Sequence, residues 1–219
     1  MLCESISVVA DVSDVTNQFQ IDNVLSYVSN RYEIKPTQSV SAVVVRNNKR
    51  LLDEFRWGLM PFWAKESVWM DSSSISDKRI FQRIIKKQRC IIPCSAFYVT
   101  TTENKSTRWV KVTMRSGTFG IAALYDEWHS ASTDEELRTC TMFMTRANSI
   151  VSPYHHQMPA ILEGDEIDEW LKPDLKDPYR IKSMLRPMEE LRMTSYILAS
   201  PKDKFEPVTE PELQRPELA

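Results

Sequence analysis

Short runs of apolar and β-branched residues, which are typical of strands, dominate the middle of the chain. Residues 41–45 and 51–57 are two such runs, and the turn pair Asn47-Asn48 between them predicts a hairpin. The same pattern predicts further strands at residues 90–93, 97–101, 107–114, 118–125 and 139–145.

Helical spacing occurs in fewer segments, which lie apart from one another. The spacing predicts helices at residues 8–28, at 76–85 after a cap at Ser76 or Asp77, at 163–170 and at 178–185. Neither a low-complexity linker nor an internal repeat divides the chain. We therefore predict an α+β fold over residues 1–219, a single compact domain with a barrel-like, mostly antiparallel β core and peripheral helices.

Composition narrows the class of protein. The 219 residues are 42% hydrophobic, which is enough for a packed core, and the four glycines form no phosphate-binding loop. The first residues carry no basic segment followed by an apolar run, and no apolar stretch approaches the ~20 residues of a membrane span. Four cysteines fit a reducing compartment, so we expect a cytoplasmic protein without a membrane partner.

Charge is balanced overall but uneven along the chain. The net charge is −2, from 28 basic and 30 acidic residues, which predicts no nucleic-acid partner by itself. Residues 78–89 nevertheless form a strongly basic stripe that is compatible with modest nucleic-acid binding. A solvated helix face is the simpler interpretation of that stripe.

Candidate chemistry is sparse. His155 and His156 are adjacent, and on an extended segment they would point to opposite sides, so only one would face a cleft; a loop pair without a role is the alternative. Cys90 and Cys94 have a spacing that zinc ligands can use, but a single pair is a weak signal, and core filling is the better interpretation. We expect neither a metal nor a cofactor.

Five blocks of the sequence, taken together, resemble the SOS-response-associated peptidase family of abasic-site-processing proteins. They occur in family order over nearly the whole chain. The blocks are residues 31–38 (RYEIKPTQ), 56–65 (RWGLMPFWAK), 89–98 (RCIIPCSAFY), 119–128 (FGIAALYDEW) and 155–162 (HHQMPAIL).

The resemblance implies a fold, a partner and a reaction. The fold is a compact α+β domain with a barrel-like core and a basic groove for single-stranded DNA. The reaction joins an N-terminal cysteine to the ring-opened aldehyde of an abasic site, because the α-amine forms a Schiff base and the thiolate then closes a thiazolidine. The partner is therefore single-stranded DNA that contains abasic sites, bound by a monomer.

The family's functional residues transfer to this chain only in part. Cys3, Asp71 and His155 stand at catalytic positions, but Leu2 precedes Cys3, and an aspartate replaces the family's asparagine at position 71. Val99 replaces the family's glutamate. The resemblance assigns DNA contacts to Pro36, Trp63, Ser73, Arg79 and Gln157, of which Ser73 and Gln157 replace arginines.

These replacements predict no stable covalent adduct. We expect methionine removal to fail before Leu2, so that Cys3 lacks a free α-amine, and we expect Cys3 to pack near His155 and Asp71. Single-stranded DNA binding should be weak and salt-sensitive, since two phosphate-binding arginines are missing. Two alternatives stay open: a non-catalytic binding module on the same scaffold, and a cysteine peptidase that uses Cys3 or Cys94 with His155.

Overall fold

The computed structural model describes residues 3–59, 68–73, 84–103, 106–129, 136–200, 202 and 204. Its strands are β1 (Ser5–Val8), β2 (Asn23–Val24), β3 (Arg31–Ile34), β4 (Ser39–Arg46), β5 (Lys49–Trp57), β6 (Trp69–Asp71), β7 (Arg89–Cys94), β8 (Ala96–Glu103), β9 (Ser106–Met114), β10 (Phe119–His129), β11 (Glu136–Arg146), β12 (Gln157–Pro159), β13 (Ile161–Leu162) and β14 (Met193–Leu198). Its helices are α1 (Val12–Phe19), α2 (Asp165–Leu171), α3 (Pro178–Met184) and a 3₁₀ turn (Glu190–Arg192).

Five strands close into a barrel. The hairpin β4–β5 was predicted and is confirmed, and β4 continues through β7 and β10 to β11 with antiparallel pairing throughout. The ring closes where β11 pairs in parallel with β5, with Thr139 opposite Arg56 and Cys140 opposite Trp57. Closure leaves no free edge along this seam and buries the apolar inner positions of every strand.

A second sheet packs against the barrel. Its strand order is β14-β9-β8-β1-β3, and every pair is antiparallel. Ile6 and Phe97 from this sheet share one apolar cluster with Ile92 and Met142 from the barrel. Both sheets therefore belong to one core and one domain.

The helices cover the other side of the barrel. Phe19 of α1 and Trp170 of α2 are fully buried in a second apolar cluster. Gly120 permits this close approach, because a Cβ atom there would lie 3.3 Å from side-chain atoms of both Phe19 and Ile167. The predicted α+β class, with a mostly antiparallel barrel and peripheral helices, is confirmed.

The long helix predicted at residues 8–28 is wrong in its extent. Residues up to Val8 belong to β1, and α1 ends at Phe19, after which Gln20 adopts a left-handed conformation with φ 52°. Asn23 and Val24 then pair in parallel with β5. Pairing with the sheet outweighed the helical spacing of the apolar residues.

The helices predicted at 163–170 and 178–185 correspond to α2 and α3, whereas most of the one predicted at 76–85 lies outside the described residues.

The prediction of a basic stripe over residues 78–89 is wrong at its last residue. Arg89 is buried, and its guanidinium donates to three carbonyl oxygens, at 2.7 Å to Trp170, 2.6 Å to Lys172 and 2.5 Å to Ile85. The bonds to Trp170 and Lys172 satisfy carbonyls at the end of α2 that have no partner within the helix. Burial lowers the pKa of Arg89 to about 10. Arg89 therefore connects α2 to the barrel through hydrogen bonds. Its buried guanidinium is not available for a DNA contact.

None of the helices within the described ranges is long and apolar enough to cross a membrane.

Candidate functional site

Cys3 lies two residues before the start of β1 and is buried, with 2% of its surface exposed. Its thiol donates to the Ser5 carbonyl oxygen at 3.5 Å, and its own carbonyl oxygen accepts a hydrogen bond from Trp69 Nε1 at 3.1 Å. Burial raises the pKa of the Cys3 thiol to about 12, although nearby backbone hydrogen bonds oppose that shift. The thiol is therefore protonated at neutral pH, and a thiol is a far weaker nucleophile than a thiolate.

Asp71 is the centre of a hydrogen-bonded group at the rim of the barrel. Its Oδ1 atom accepts from the Ser73 amide at 2.8 Å and from the Ser73 hydroxyl at 2.7 Å. Its Oδ2 atom accepts from Gln157 Nε2 at 2.9 Å. Partial burial acts to raise the pKa of Asp71, but these hydrogen bonds, with His156 nearby, outweigh it and lower the pKa. The carboxylate is thus charged at neutral pH.

The strand order explains why Asp71 and Gln157 meet. β6 lies along one edge of β11 and β12 along the other, so that Met144 is opposite both Asp71 and Pro159. Gln157 is two residues before Pro159 and projects on the same side of its strand. The site is therefore assembled across the end of β11 from segments that are far apart in the sequence.

His155 joins the same group through the backbone of Gln157. The Gln157 amide donates to His155 Nδ1 at 3.1 Å, and the Gln157 carbonyl oxygen lies 2.8 Å from the same nitrogen, so the tautomer decides which contact is the hydrogen bond. We call Asp71, Ser73, Gln157 and His155 the Asp71 network. It offers a fixed acceptor carboxylate, amide and hydroxyl groups, and an imidazole.

The predicted orientation of the two histidines is wrong. Their ring centroids are 4.4 Å apart with 33° between the planes, so His155 and His156 lie side by side. The His155 amide donates to the Val151 carbonyl oxygen, which shows that a turn and not an extended strand precedes them. Strand alternation therefore does not apply to this pair.

Cys3 approaches the Asp71 network through Trp69. This indole contacts the Cys3 carbonyl and lies on β6, two residues before Asp71. Trp57 packs edge-on against Trp69, with ring centroids 5.0 Å apart. An aromatic pair thus lies beside Cys3.

The remaining residues that the sequence singled out have different environments. Pro36 is half-buried in the loop between β3 and β4, which the Thr37 amide holds against the Trp57 carbonyl oxygen at 2.8 Å. Val99 is fully buried in the core, where an ionised acid would be costly. Trp63 and Arg79 lie outside the described residues.

Sequence reasoning missed a buried ion pair beside β1. Lys204 Nζ lies 2.5 Å from Glu33 Oε1, and its ammonium is 3.2 Å from the centroid of the Trp109 ring. Glu33 also accepts from the Ser5 hydroxyl at 3.4 Å. Burial lowers the pKa of Lys204, which Glu33 opposes. The two partners are 171 residues apart, so no local pattern could have indicated their contact.

The cysteines behave as core residues. Cys90 and Cys94 are fully buried, and the Cys94 thiol donates to the Ala96 carbonyl oxygen at 3.1 Å. Within the described ranges, no group of three or more histidine, cysteine, aspartate or glutamate side chains is arranged to hold a metal ion.

Comparisons with known proteins identify the family and the fold. Residues 2–200 match the family model described as SOS response associated peptidase (SRAP). Abasic site processing protein YoaM of Bacillus subtilis (strain 168) is 30% identical over 212 residues, which cover 91% of this chain and 92% of the relative. Abasic site processing protein YoqW of the same organism is 29% identical over 212 residues, with 91% and 93% covered. A crystal structure of a protein from Bacteroides thetaiotaomicron superimposes with a TM-score of 0.79 at 24% identity over 90% of this chain and 92% of that one, which shows a shared fold.

Proposed function

The chain belongs to the SOS response associated peptidase (SRAP) family, and from this premise we propose that it binds single-stranded DNA at abasic sites without forming a crosslink through Cys3. The curated relatives named above are abasic site processing proteins, which supports DNA with abasic sites as the partner. We propose that it acts as a monomer in the cytoplasm and that residues 1–219 form one domain.

The burial of Cys3 carries the proposal. Thiazolidine formation needs an amine and a thiol on the same residue, and in this sequence the Cys3 nitrogen is the amide that joins it to Leu2. An amide nitrogen cannot form a Schiff base with an aldehyde. The thiol, with a pKa of about 12, would be ionised in only about one molecule in 10⁵ at neutral pH. Both reacting groups are therefore disabled in the folded chain.

The Asp71 network supports recognition in place of chemistry. The Asp71 carboxylate accepts hydrogen bonds, so it suits the hydroxyl groups of an abasic sugar, while its charge repels phosphates. The Ser73 hydroxyl and the Gln157 amide are neutral, so neither supplies the charge-assisted phosphate contact that an arginine would make. Affinity should consequently be weak and should depend on salt through few phosphate contacts.

A peptidase role is less well supported. A cysteine peptidase needs a thiolate, and burial raises the pKa of both Cys3 and Cys94. The same environment that prevents crosslinking therefore opposes peptide-bond cleavage.

Fluorescence anisotropy with labelled single strands tests the proposal. The strands carry a natural abasic site, its tetrahydrofuran analogue or an intact base at one position, and each is titrated at two salt concentrations. We expect the abasic strand to bind more tightly than the intact strand, and binding to weaken as salt rises. Equal affinity for the abasic and intact strands would contradict abasic-site recognition, and tight binding that is indifferent to salt would indicate base stacking on tryptophan instead.

A further inference from the structure

An apolar patch lies exposed near the start of the chain, away from the Asp71 network. Five of the nine large apolar side chains that are exposed among the described residues fall within residues 9–28. They are Val9, Val12, Val24, Leu25 and Val28, which we call the N-terminal apolar patch. Leu25 is 57% exposed and Val28 is 54% exposed. Clusters of this kind on a folded protein mark interaction sites more often than scattered single residues do.

The patch surrounds a cavity that is already formed. Val12, Val24 and Leu25 line an open, shallow cavity of about 440 Å³ together with Asp11, Tyr27 and three serines. The Tyr27 hydroxyl donates to the Ala10 carbonyl oxygen at 2.8 Å and ties one wall to the segment before α1. A partner would therefore meet a preorganised surface, which reduces the entropy cost of binding.

The sheet ends at this patch, which explains its exposure. β2 pairs only with β5 among the described strands, and both of its residues are exposed. The amides of Leu25 and Ser26 both donate to the Leu52 carbonyl oxygen, after which the chain runs irregularly to residue 30. No neighbouring strand within the described ranges covers the outer edge of β2.

Acidic side chains predominate around the patch, and the neighbouring Arg50 guanidinium is paired with Asp168 at 2.7 Å. Residues 1–30 contain four acidic residues and no lysine or arginine. Asp11, Asp14 and Asp22 are exposed, and Asp11 lines the cavity beside Val12. Such a surface repels DNA phosphates and attracts cationic groups. The charge thus excludes nucleic acid as the occupant and favours a basic protein segment.

The patch and the Asp71 network lie at opposite ends of the seam between β5 and β11. β2 pairs with β5 at Leu51 and Leu52, whereas β6 pairs with β11 beyond the point where β5 and β11 meet. At ~3.3 Å per strand residue the two ends are about 25–30 Å apart. A partner on the patch therefore leaves the Asp71 network open.

We propose that the N-terminal apolar patch is a docking site for a protein segment that presents apolar side chains between lysines or arginines. The apolar groups enter the cavity between Val12 and Leu25, and the basic groups pair with Asp11, Asp14 and Asp22. The binding free energy comes mainly from the buried apolar contact, and the charges at the rim set partner choice and association rate.

Peptide binding to the full chain tests this proposal. The probe is a short fluorescent peptide of leucine, lysine and arginine, compared with one in which glutamate replaces each basic residue and one in which serine replaces each leucine. We expect only the first to bind, with the amide resonances of residues 9–28 shifting on titration. The double variant Val24→Ser/Leu25→Ser should weaken binding about tenfold or more, as loss of a central apolar contact does.

Two further variants keep the test specific. Leu191→Ser/Ile197→Ser removes two exposed apolar side chains elsewhere and should change the dissociation constant by less than about twofold. Asp11→Asn/Asp14→Asn should weaken binding a few-fold and make it less sensitive to salt. Because all these side chains are exposed, urea unfolding should show that each variant folds.

Several results would overturn the proposal. One is failure of the basic peptide to bind, and another is equal weakening by the patch variant and by the Leu191/Ile197 variant. Undiminished binding of the peptide in which serine replaces leucine would show that charge alone accounts for the contact. Sedimentation showing a dimer that Leu25→Ser dissociates would identify a second copy of the chain as the occupant instead.

Discussion

β7 in the barrel and β6 at its rim show how differently two parts of one domain are constrained. All six residues of β7 are buried, and Ile91 and Ile92 fill opposite faces of the barrel wall. β6 ends at Asp71, which is only partly buried and contacts polar side chains. Packing fixes residue size and polarity in β7, whereas at the rim water and neighbouring polar groups can accommodate a changed side chain. A scaffold can therefore persist while its reactive groups are replaced.

The largest expected effect is a loss of unfolding free energy in a variant of the barrel. Arg89→Leu removes a donor from three carbonyl oxygens, of which that of Lys172 keeps its hydrogen bond from the Leu175 amide. Buried carbonyls left without a partner cost about 1–3 kcal/mol each, so we expect urea unfolding to show a loss of about 2 kcal/mol or more. The matched control is Arg180→Leu, which breaks the exposed pair with Glu169 and should leave the unfolding midpoint almost unchanged. Equal losses of unfolding free energy in the two variants would contradict the stronger constraint on the barrel.

Gly120→Ala tests the tightness of packing between barrel and helices. The added Cβ would lie 2.7 Å from Ile91 Cγ2 and 3.3 Å from side-chain atoms of Ile167 and Phe19. Overpacking of this kind costs typically ~1–3 kcal/mol, which thermal or urea unfolding would measure. Ile91→Leu, which removes that methyl group, should recover part of the loss in the double variant. An unchanged unfolding midpoint in Gly120→Ala would show that the core is looser than the structure indicates.

The Cys3 thiol gives a prediction in the alkaline range. Its pKa is about 12 in the folded chain, raised by burial from 9.0, so the thiol ionises in the unfolded chain first. Stability from this group is complete below pH 9 and is lost as the pH rises toward 12. Between pH 8 and pH 10 the wild type should lose about 1.4 kcal/mol more unfolding free energy than Cys3→Ala, because each pKa unit corresponds to ~1.4 kcal/mol. Equal losses would mean that Cys3 is accessible to water.

The smallest change in stability is expected for a substitution at the rim of the barrel. Gln157→Arg places a guanidinium beside Asp71, where a partly exposed pair changes stability by less than about 1 kcal/mol. It should, however, add one phosphate contact and so steepen the salt dependence of single-strand binding by about 0.7 in the log–log slope. Gln157→Glu is the charge control and should weaken binding. If both variants bind like the wild type, DNA does not reach the Asp71 network.

Local sequence patterns were sufficient for most of the barrel. Short apolar and β-branched runs predicted β4, β5, β7, β10 and β11 within a few residues, because these strands bury most of their apolar residues in the core. Local patterns failed where contacts distant in sequence decided the secondary structure. Asn23 and Val24, for example, pair with β5 and do not belong to the predicted helix. The buried position of Arg89 depends likewise on α2, which is about 80 residues away.

The site was predicted less completely than the fold. The resemblance predicted roles for Asp71, Ser73, Gln157 and His155, and the structure adds the hydrogen bonds among them. Those bonds depend on β6 and β12 flanking β11, which is a property of topology that no local pattern encodes. The pairing of Glu33 with Lys204 was invisible in the sequence for the same reason.

Intact-mass measurement under denaturing conditions tests the central claim most directly. The full-length protein is incubated at neutral pH with a single strand that contains an abasic site, and free cysteine in a parallel reaction confirms that the DNA is competent to form a thiazolidine. We expect the protein to keep its unmodified mass while anisotropy shows non-covalent binding. A protein–DNA adduct that maps to Cys3 would contradict it.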